Sequence, residues 1–157
     1  MKDVISKFQP SLILCAYDSK TISGSAINST KKLLLDSLKI AKKSNISDKK
    51  IVLDPAIGFF RKTGKGKFFT KIKTDWVERD LSVIKNLNSI KMNYPILISV
   101  SNKSIIGNLL QKENPSDRLF GSITTEAISV LNGANVIRTH NVVASKDAIT
   151  IASKLSK

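Results

Sequence analysis

The 157-residue sequence predicts an α/β fold built on a parallel sheet, and three observations carry that expectation. A strand followed by a helix recurs four times, with the strands roughly 40 residues apart, as in right-handed crossover units. The strand candidates are short apolar runs without polar alternation, the pattern of a sheet covered on both faces. Each run ends in polar residues: Tyr17-Asp18, then Asp54, then Ser101-Asn102-Lys103, then Arg138-Thr139-His140. Polar groups gathered at the carboxyl ends of parallel strands are the arrangement of a TIM-barrel active face. Four units make half a barrel. A small open doubly wound sheet fits the same pattern, and the pattern leaves both open.

Val4, Ile5 and Phe8 mark the end of a helix that breaks at Pro10. Residues 11–16 (SLILCA) form the first strand, and Ser23-Gly24-Ser25 a loop. Asn28 or Ser29 caps a helix running to about 44, with Leu34, Leu38 and Ala41 on one face. The second strand is 51–53, closed by Asp54 and stopped by Pro55, with Gly58 loosening the turn before Phe59 and Phe60. Residues 61–74 form a long basic loop with Arg61, Lys62, Lys65, Lys67, Lys71 and Lys73, and Gly64 and Gly66 for flexibility. Thr74 caps the next helix, 75 to about 91, with an apolar face of Val77, Leu81, Ile84 and Leu87. Tyr94-Pro95 leads into the third strand, 96–100. Helices over 104–110 and 116–131 follow, the second stopped by Gly133. The fourth strand is 135–137. The last helix runs from about 145 to 155, with Ala148, Ile151, Ala152 and Leu155 inward.

Composition narrows the function classes. A hydrophobic content of 41% predicts a folded globule in one domain with a core of its own. No apolar run approaches the roughly 18 residues needed to span a bilayer, and the start at Met1-Lys2-Asp3 lacks an apolar leader. Cys15 is the single cysteine, so neither a disulfide nor a thiolate cluster is expected, and the expected compartment is the cytoplasm. The net charge of +14 raises nucleic-acid binding as a reading. The lysines are scattered along the chain, however, with few aromatics near them, and a small anionic ligand explains local clusters equally well. There is no Walker loop, no GxGxxG after a strand, no nucleophile elbow and no cluster of metal-ligating residue types.

Among the candidate residues Asp54 stands first. A carboxylate at a dry rim accepts two parallel hydrogen bonds, so it can read an N–H beside an NH2 on a heterocycle. Its plainer role is to cap a neighbouring loop. Lys103 could donate to a ligand carbonyl or phosphate, or simply open a helix at the surface. Arg138 and His140 alternate along a strand end, so both can face one side and together suit a phosphate or pyrophosphate. His140 is the only histidine. The basic loop would act as a lid that attracts anions, or is merely solvated.

These segments, taken together, resemble a known family. IVLDPAIGFF, a basic loop and WVERDLSVIKNL, PILISVSNKSIIG, DRLFGS and NGANVIRTHNV are similar, in that order, to the C-terminal half of dihydropteroate synthase, closest in flavour to its archaeal members. The resemblance covers essentially the whole chain. It implies a parallel (β/α) TIM-barrel fold, with residues 1–157 a single partial pterin-binding barrel domain of four βα units that supplies strands five to eight. It implies a transferase of folate biosynthesis that condenses 6-hydroxymethyl-7,8-dihydropterin pyrophosphate with 4-aminobenzoate. By that resemblance Asp54 reads the pterin N–H and amino edge and stabilises the developing cation. Lys103 reaches the pterin carbonyl side, Arg138 covers the pterin face and holds phosphate, and His140 binds pyrophosphate. Phe59 and Ser101 line the aminobenzoate end. Mg2+ accompanies the pyrophosphate through a ligand on the first strand, which this chain does not carry.

Three positions depart from the family pattern. The usual Ser-Arg-Lys-Ser reads Ser101-Asn102-Lys103-Ser104, so Asn102 takes a substrate-binding position without the planar guanidinium fork. Asn141 replaces an aspartate after His140, and Ala56 replaces a common glycine. The resemblance also implies a partner, either a missing N-terminal half-barrel or a second copy, without which the chain is expected to be inactive. The competing readings are a barrel that moves a methyl group from a reduced pterin, a non-catalytic pterin-binding remnant, and a basic nucleic-acid-binding domain.

Overall fold

The computed structural model describes residues 2–63 and 68–156; Gly64, Lys65, Gly66 and Lys67 of the predicted basic loop lie outside the described residues. Four parallel strands form the centre: β1 (Leu12–Cys15), β2 (Ile51–Asp54), β5 (Leu97–Ile98) and β6 (Val136–Ile137). β1 pairs with β2, β5 pairs with β6, and a bridge between Leu53 and Ile96 joins the two pairs. Two further short strands, β3 (Phe60–Arg61) and β4 (Thr70–Lys71), pair in parallel within the segment read as a loop. Their pairing extends outward through a bridge from Ile22 to Ile72. Sequence pattern misses strands this short because two residues cannot display a period of 2.

The register sorts side chains into two faces. Leu14, Leu53, Ile96 and Ile98 point to the helix-covered face, where Leu53, Ile96 and Ile98 are fully buried. On the other face two rows cross the sheet. Ile13 and Val52 make the lower row and Cys15, Asp54, Leu97 and Val136 the upper one, with Ser99 and Arg138 one step further toward the carboxyl ends. Ile13 remains 55% exposed and Val136 39% exposed, so this second face is less covered than the sequence pattern predicts.

Helices α1 (Lys2–Phe8) and α2 (Ala26–Lys43) open the chain. The cap of α2 is Ser25, whose side chain accepts from the Asn28 amide, and not Asn28 or Ser29. The earlier start brings Ala26 and Ile27 onto the core. Helix α3 (Trp76–Lys85) is capped by Asp75, which accepts from the Val77 and Glu78 amides at 2.8 and 3.0 Å, and not by Thr74. It breaks at Asn86, where the expected long helix turns into α4 (Leu87–Ile90), and the break lets Leu87 and Ile90 both bury completely. Arg79 and Asp80 lie inside α3 yet are buried, while Val77 and Leu81 are only half-buried.

Helix α5 (Ser104–Leu110) has its expected bounds, and α6 (Leu119–Leu131) follows a 3-10 turn over Pro115–Arg118. α7 (Val142–Leu155) packs on α6 and buries Ser145 and Ala152, with Ala148 half-buried. That narrow stripe leaves Ile151 64% and Leu155 70% exposed, against the inward positions expected for them. Among the described residues no helix is long and apolar enough to cross a membrane.

Candidate functional site

Asp54 ends β2, as its place after an apolar run requires. It is half-buried, and its Oδ1 accepts the Ala56 amide at 2.7 Å. That bond pulls the backbone into a tight turn in which Ala56 adopts φ 57°, a conformation a glycine holds without strain. Burial pushes the Asp54 carboxyl above the usual range, and the Ala56 amide, Lys103 and Arg138 oppose that rise. Lys103 closes the turn after β5. Its Nζ donates to the Ile57 carbonyl at 2.5 Å and lies 4.6 Å from the centroid of the Phe59 ring. Burial pulls its amine below the usual lysine value, and Asp54 and Asp80 pull the other way. A Cβ at Gly58 would sit 2.9 Å from Lys103 Cδ, and Gly58 has φ 85°. The glycine is therefore needed both for the turn and for the lysine stem beside it.

A buried pair holds this loop from below. Arg79 donates to Asp80 at 2.8 Å, to Thr30 Oγ1 at 2.7 Å and to the Pro55 carbonyl at 3.0 Å, and stacks 3.5 Å over the Phe60 ring. Asp80 accepts the Gly58 amide at 2.8 Å. Both termini of the Pro55–Gly58 turn are thus tied to one ion pair, which lies outside the apolar face expected for this helix.

The other expected site residues divide. Arg138 lies on the same face as Asp54, one step further toward the carboxyl ends, near enough for its charge to act on both Asp54 and Lys103, and donates to Ser99 Oγ at 3.4 Å. His140 is exposed like Arg138, and its backbone amide donates to the buried Ser101 Oγ at 3.2 Å. Ser101 therefore organises the strand end, its hydroxyl turned to Thr139 and His140. Asn102 is in a left-handed conformation (φ 59°) that turns its amide toward Ser122 and its carbonyl toward Arg118. The structure gathers Asp54, Phe59, Lys103 and Arg138, and directs Asn102 onto α6 instead.

A cleft of about 280 Å3 opens beside Asp54 between Cys15, Tyr17, Phe59 and Phe68. The sequence marks Tyr17 only as a strand end and Cys15 only as the single cysteine; the register pairing of Cys15 with Asp54 is what brings them to the site. Partial desolvation, and then the Asp54 charge, push the Cys15 thiol up to about 11, so it is held as a thiol. A roomier groove of about 550 Å3 runs past Ile51, Tyr94 and Pro95. It lies at the amino ends of β2 and β5, opposite the end where parallel sheets keep their chemistry. The arrangement at the carboxyl ends suits a flat polar heterocycle with an anionic tail: a carboxylate for a donor edge, an ammonium for a carbonyl, and a guanidinium for phosphate.

A family profile described as pterin binding enzyme matches residues 1–140. The chain belongs to the pterin-binding enzyme family. A dihydropteroate synthase from Neisseria meningitidis serogroup B is 31% identical over 110 residues, 69% of this chain and 34% of that protein. One from Clostridium beijerinckii is 33% identical over 117 residues, 73% of this chain and 38% of that protein. Among solved structures, dihydropteroate synthase from Clostridium difficile in the presence of pteroic acid superposes with a TM-score of 0.83 at 29% identity. It covers 100% of this chain and 55% of that one. The Coxiella burnetii enzyme in complex with pteroic acid gives 0.82 at 32% identity, covering 99% and 56%. This member of the pterin-binding family spans about a third of the length of those curated relatives and just over half of those solved chains.

Proposed function

We propose that these residues form one partial barrel domain, four βα units of a TIM barrel, working in a dihydropteroate synthase reaction. The observation that carries this reading is the convergence of Asp54, Lys103 and Arg138 at the carboxyl ends of three neighbouring parallel strands. There Asp54 and Lys103 are each hydrogen-bonded to backbone rather than to one another. In the reaction the bond between the pterin methylene carbon and pyrophosphate breaks, and the amine nitrogen of 4-aminobenzoate bonds to that carbon and sheds a proton. Asp54 accepts from the pterin N–H and amino group, and its negative charge stabilises the cation-like methylene. Lys103 donates to the pterin carbonyl, and Arg138 covers the ring and holds phosphate with His140. Phe59 and Ser101 lie at the aminobenzoate end, Ser101 by fixing the His140 backbone. Asn102, turned to Ser122, supports that end from behind.

Magnesium would neutralise the departing pyrophosphate. Among the described residues no three His, Cys, Asp or Glu side chains cluster to hold a metal; the family resemblance is what assigns its protein ligand to the first strand of the barrel. The remaining strands come from an N-terminal half or from a second copy. The unpaired outer edges of β1 and β6 among the described residues support this, as does the exposure of Ile13 and Val136. The cytoplasm is the compartment this reading assigns. A methyl-transferring pterin barrel would share Asp54 but offers no pyrophosphate to Arg138 and His140. The turned-away Asn102 favours, as a second reading, a pterin-binding protein without turnover.

The test is a calorimetric titration of the chain with 6-hydroxymethyl-7,8-dihydropterin pyrophosphate and magnesium, beside Asp54→Ala. Weak binding that the variant loses is the expected result, with no measurable turnover by the chain alone. Equal binding by the variant would remove Asp54 from the site. Turnover at the rate of a complete enzyme would remove the need for further strands.

A further inference from the structure

Phe68 lines the Asp54 cleft, yet it is 77% exposed. Of the three aromatic side chains on that cleft, Phe59 is engaged by the protein: Lys103 Nζ lies 4.6 Å from its centroid and the Phe69 ring 5.7 Å away at 42°. Tyr17, 44% exposed, and Phe68 have neither a ring nor a cation against them among the described residues. Two aromatic rings left in water on one small cleft mark a surface that a ligand covers. Asp54 is the one charged residue of the lining, so the ligand that fits is a flat ring with a donor edge.

Buried Thr70 fixes the walls that carry these rings. Its backbone N–H donates to the Phe59 carbonyl at 3.0 Å, and its Oγ1 accepts the amide of Asp18, the residue after Tyr17, at 3.1 Å. Lys71 continues the tie, its carbonyl accepting the Ile22 amide at 2.7 Å. β4 thus holds the segment after β2 on one side and the segment after β1 on the other, and Phe68 lies two residues before Thr70. A serine hydroxyl makes the same bond to Asp18. A valine keeps the shape of Thr70 and leaves the Asp18 amide without its acceptor.

We propose that Phe68 stacks on the ring held by Asp54, that Thr70 is its positioning residue, and that the two together select a flat pterin over a puckered one. The inference rests on the pterin reading above. The amino and N–H edge offered to Asp54 is the same at every oxidation level of a pterin, so Asp54 does not tell those levels apart. They differ in the second ring, which is planar when oxidised and puckered at its saturated carbons in the tetrahydro form. A planar ring meets an aromatic face at van der Waals distance over its whole area, and a puckered ring over part of it.

The experiment titrates the wild-type chain by calorimetry, without oxygen, with 6-hydroxymethylpterin and with its 5,6,7,8-tetrahydro form. It repeats both ligands on Phe68→Leu, Phe68→Tyr, Thr70→Val and Thr70→Ser, with urea unfolding to confirm the fold of each variant. The expected preference for the flat ring is about tenfold in the wild type, Phe68→Tyr and Thr70→Ser, about threefold in Thr70→Val, and about twofold or less in Phe68→Leu. Phe68 is exposed, so Phe68→Leu carries the test even where Thr70→Val fails to fold. A wild type that binds both forms equally, or a Phe68→Leu chain that keeps the full preference, overturns the stacking role of Phe68 and leaves the pterin reading standing. A folded Thr70→Val chain with the full preference overturns the positioning by Thr70. Failure of both ligands to bind the folded wild type overturns the inference and the pterin reading together.

Discussion

Two pairs of opposite charges sit on either side of the Pro55–Gly58 turn, and they are built in opposite ways. Below it, Arg79 and Asp80 meet at 2.8 Å with side chains 3% and 0% exposed, and their remaining polar atoms are largely met by Thr30, Pro55 and Gly58. Above it, Asp54 and Lys103 lie near one another, each bonded to backbone, with Asp54 on the wall of an open cleft. Desolvation opposes the charged form in all four groups, but only the lower pair is offset by direct contact. A charge closed on its partners holds a loop in place. A charge desolvated and left short of partners is ready for a ligand that completes it.

The comparison can be broken by substitution. Asp80→Ala strands a buried guanidinium and should cost about 3–5 kcal/mol in urea unfolding; a loss below about 1 kcal/mol would show that the pair does not hold the turn. Asp54→Asn keeps an acceptor for the Ala56 amide, so its effect should fall on pterin affinity, weakened roughly 10- to 100-fold, and barely on stability. Lys103→Met keeps the stem beside Phe59 and should weaken the same ligand about tenfold with unfolding unchanged, again by calorimetry beside urea titration. Ala56→Gly relieves the left-handed backbone and should raise stability by about 1 kcal/mol, read as a higher melting temperature.

A pH series sharpens the contrast with the smallest signal. The folded-state pKa of Asp54 is raised above its unfolded value, so folding favours the protonated form. The wild type should therefore lose stability relative to Asp54→Asn as pH rises from about 4, the ordinary carboxylate value, through the raised one, and the gap should then level off. Asp80 titrates in both proteins and cancels in the difference. A gap that shrinks as pH rises would mean that the favourable contacts outweigh the burial of Asp54.

The upper pair was legible in the sequence and the lower one was not. Asp54 follows three apolar residues and precedes a proline, which fixes it at a strand end whatever the rest of the chain does. Lys103 follows another such run and opens α5, whose bounds came out as expected. Arg79-Asp80 lies outside the apolar face expected for its helix, and its partners Thr30 and Pro55 are 49 and 24 residues away. No local pattern announces so distant a partner. The same reason hid the contact of Thr70 with the Asp18 amide, 52 residues apart.

Local chemistry, then, was enough to set the alternation of strand and helix, the parallel sheet and the polar strand ends, because short apolar runs, caps and breakers act within a few residues. It also carried the family, through segments that lie in order along the chain. The tertiary structure alone decided which charges meet, which face of α7 is buried and where Asn102 points. Those outcomes depend on what lies across the fold, on helix rotation against α6 and on the register of β1 against β2, and a linear sequence does not display them.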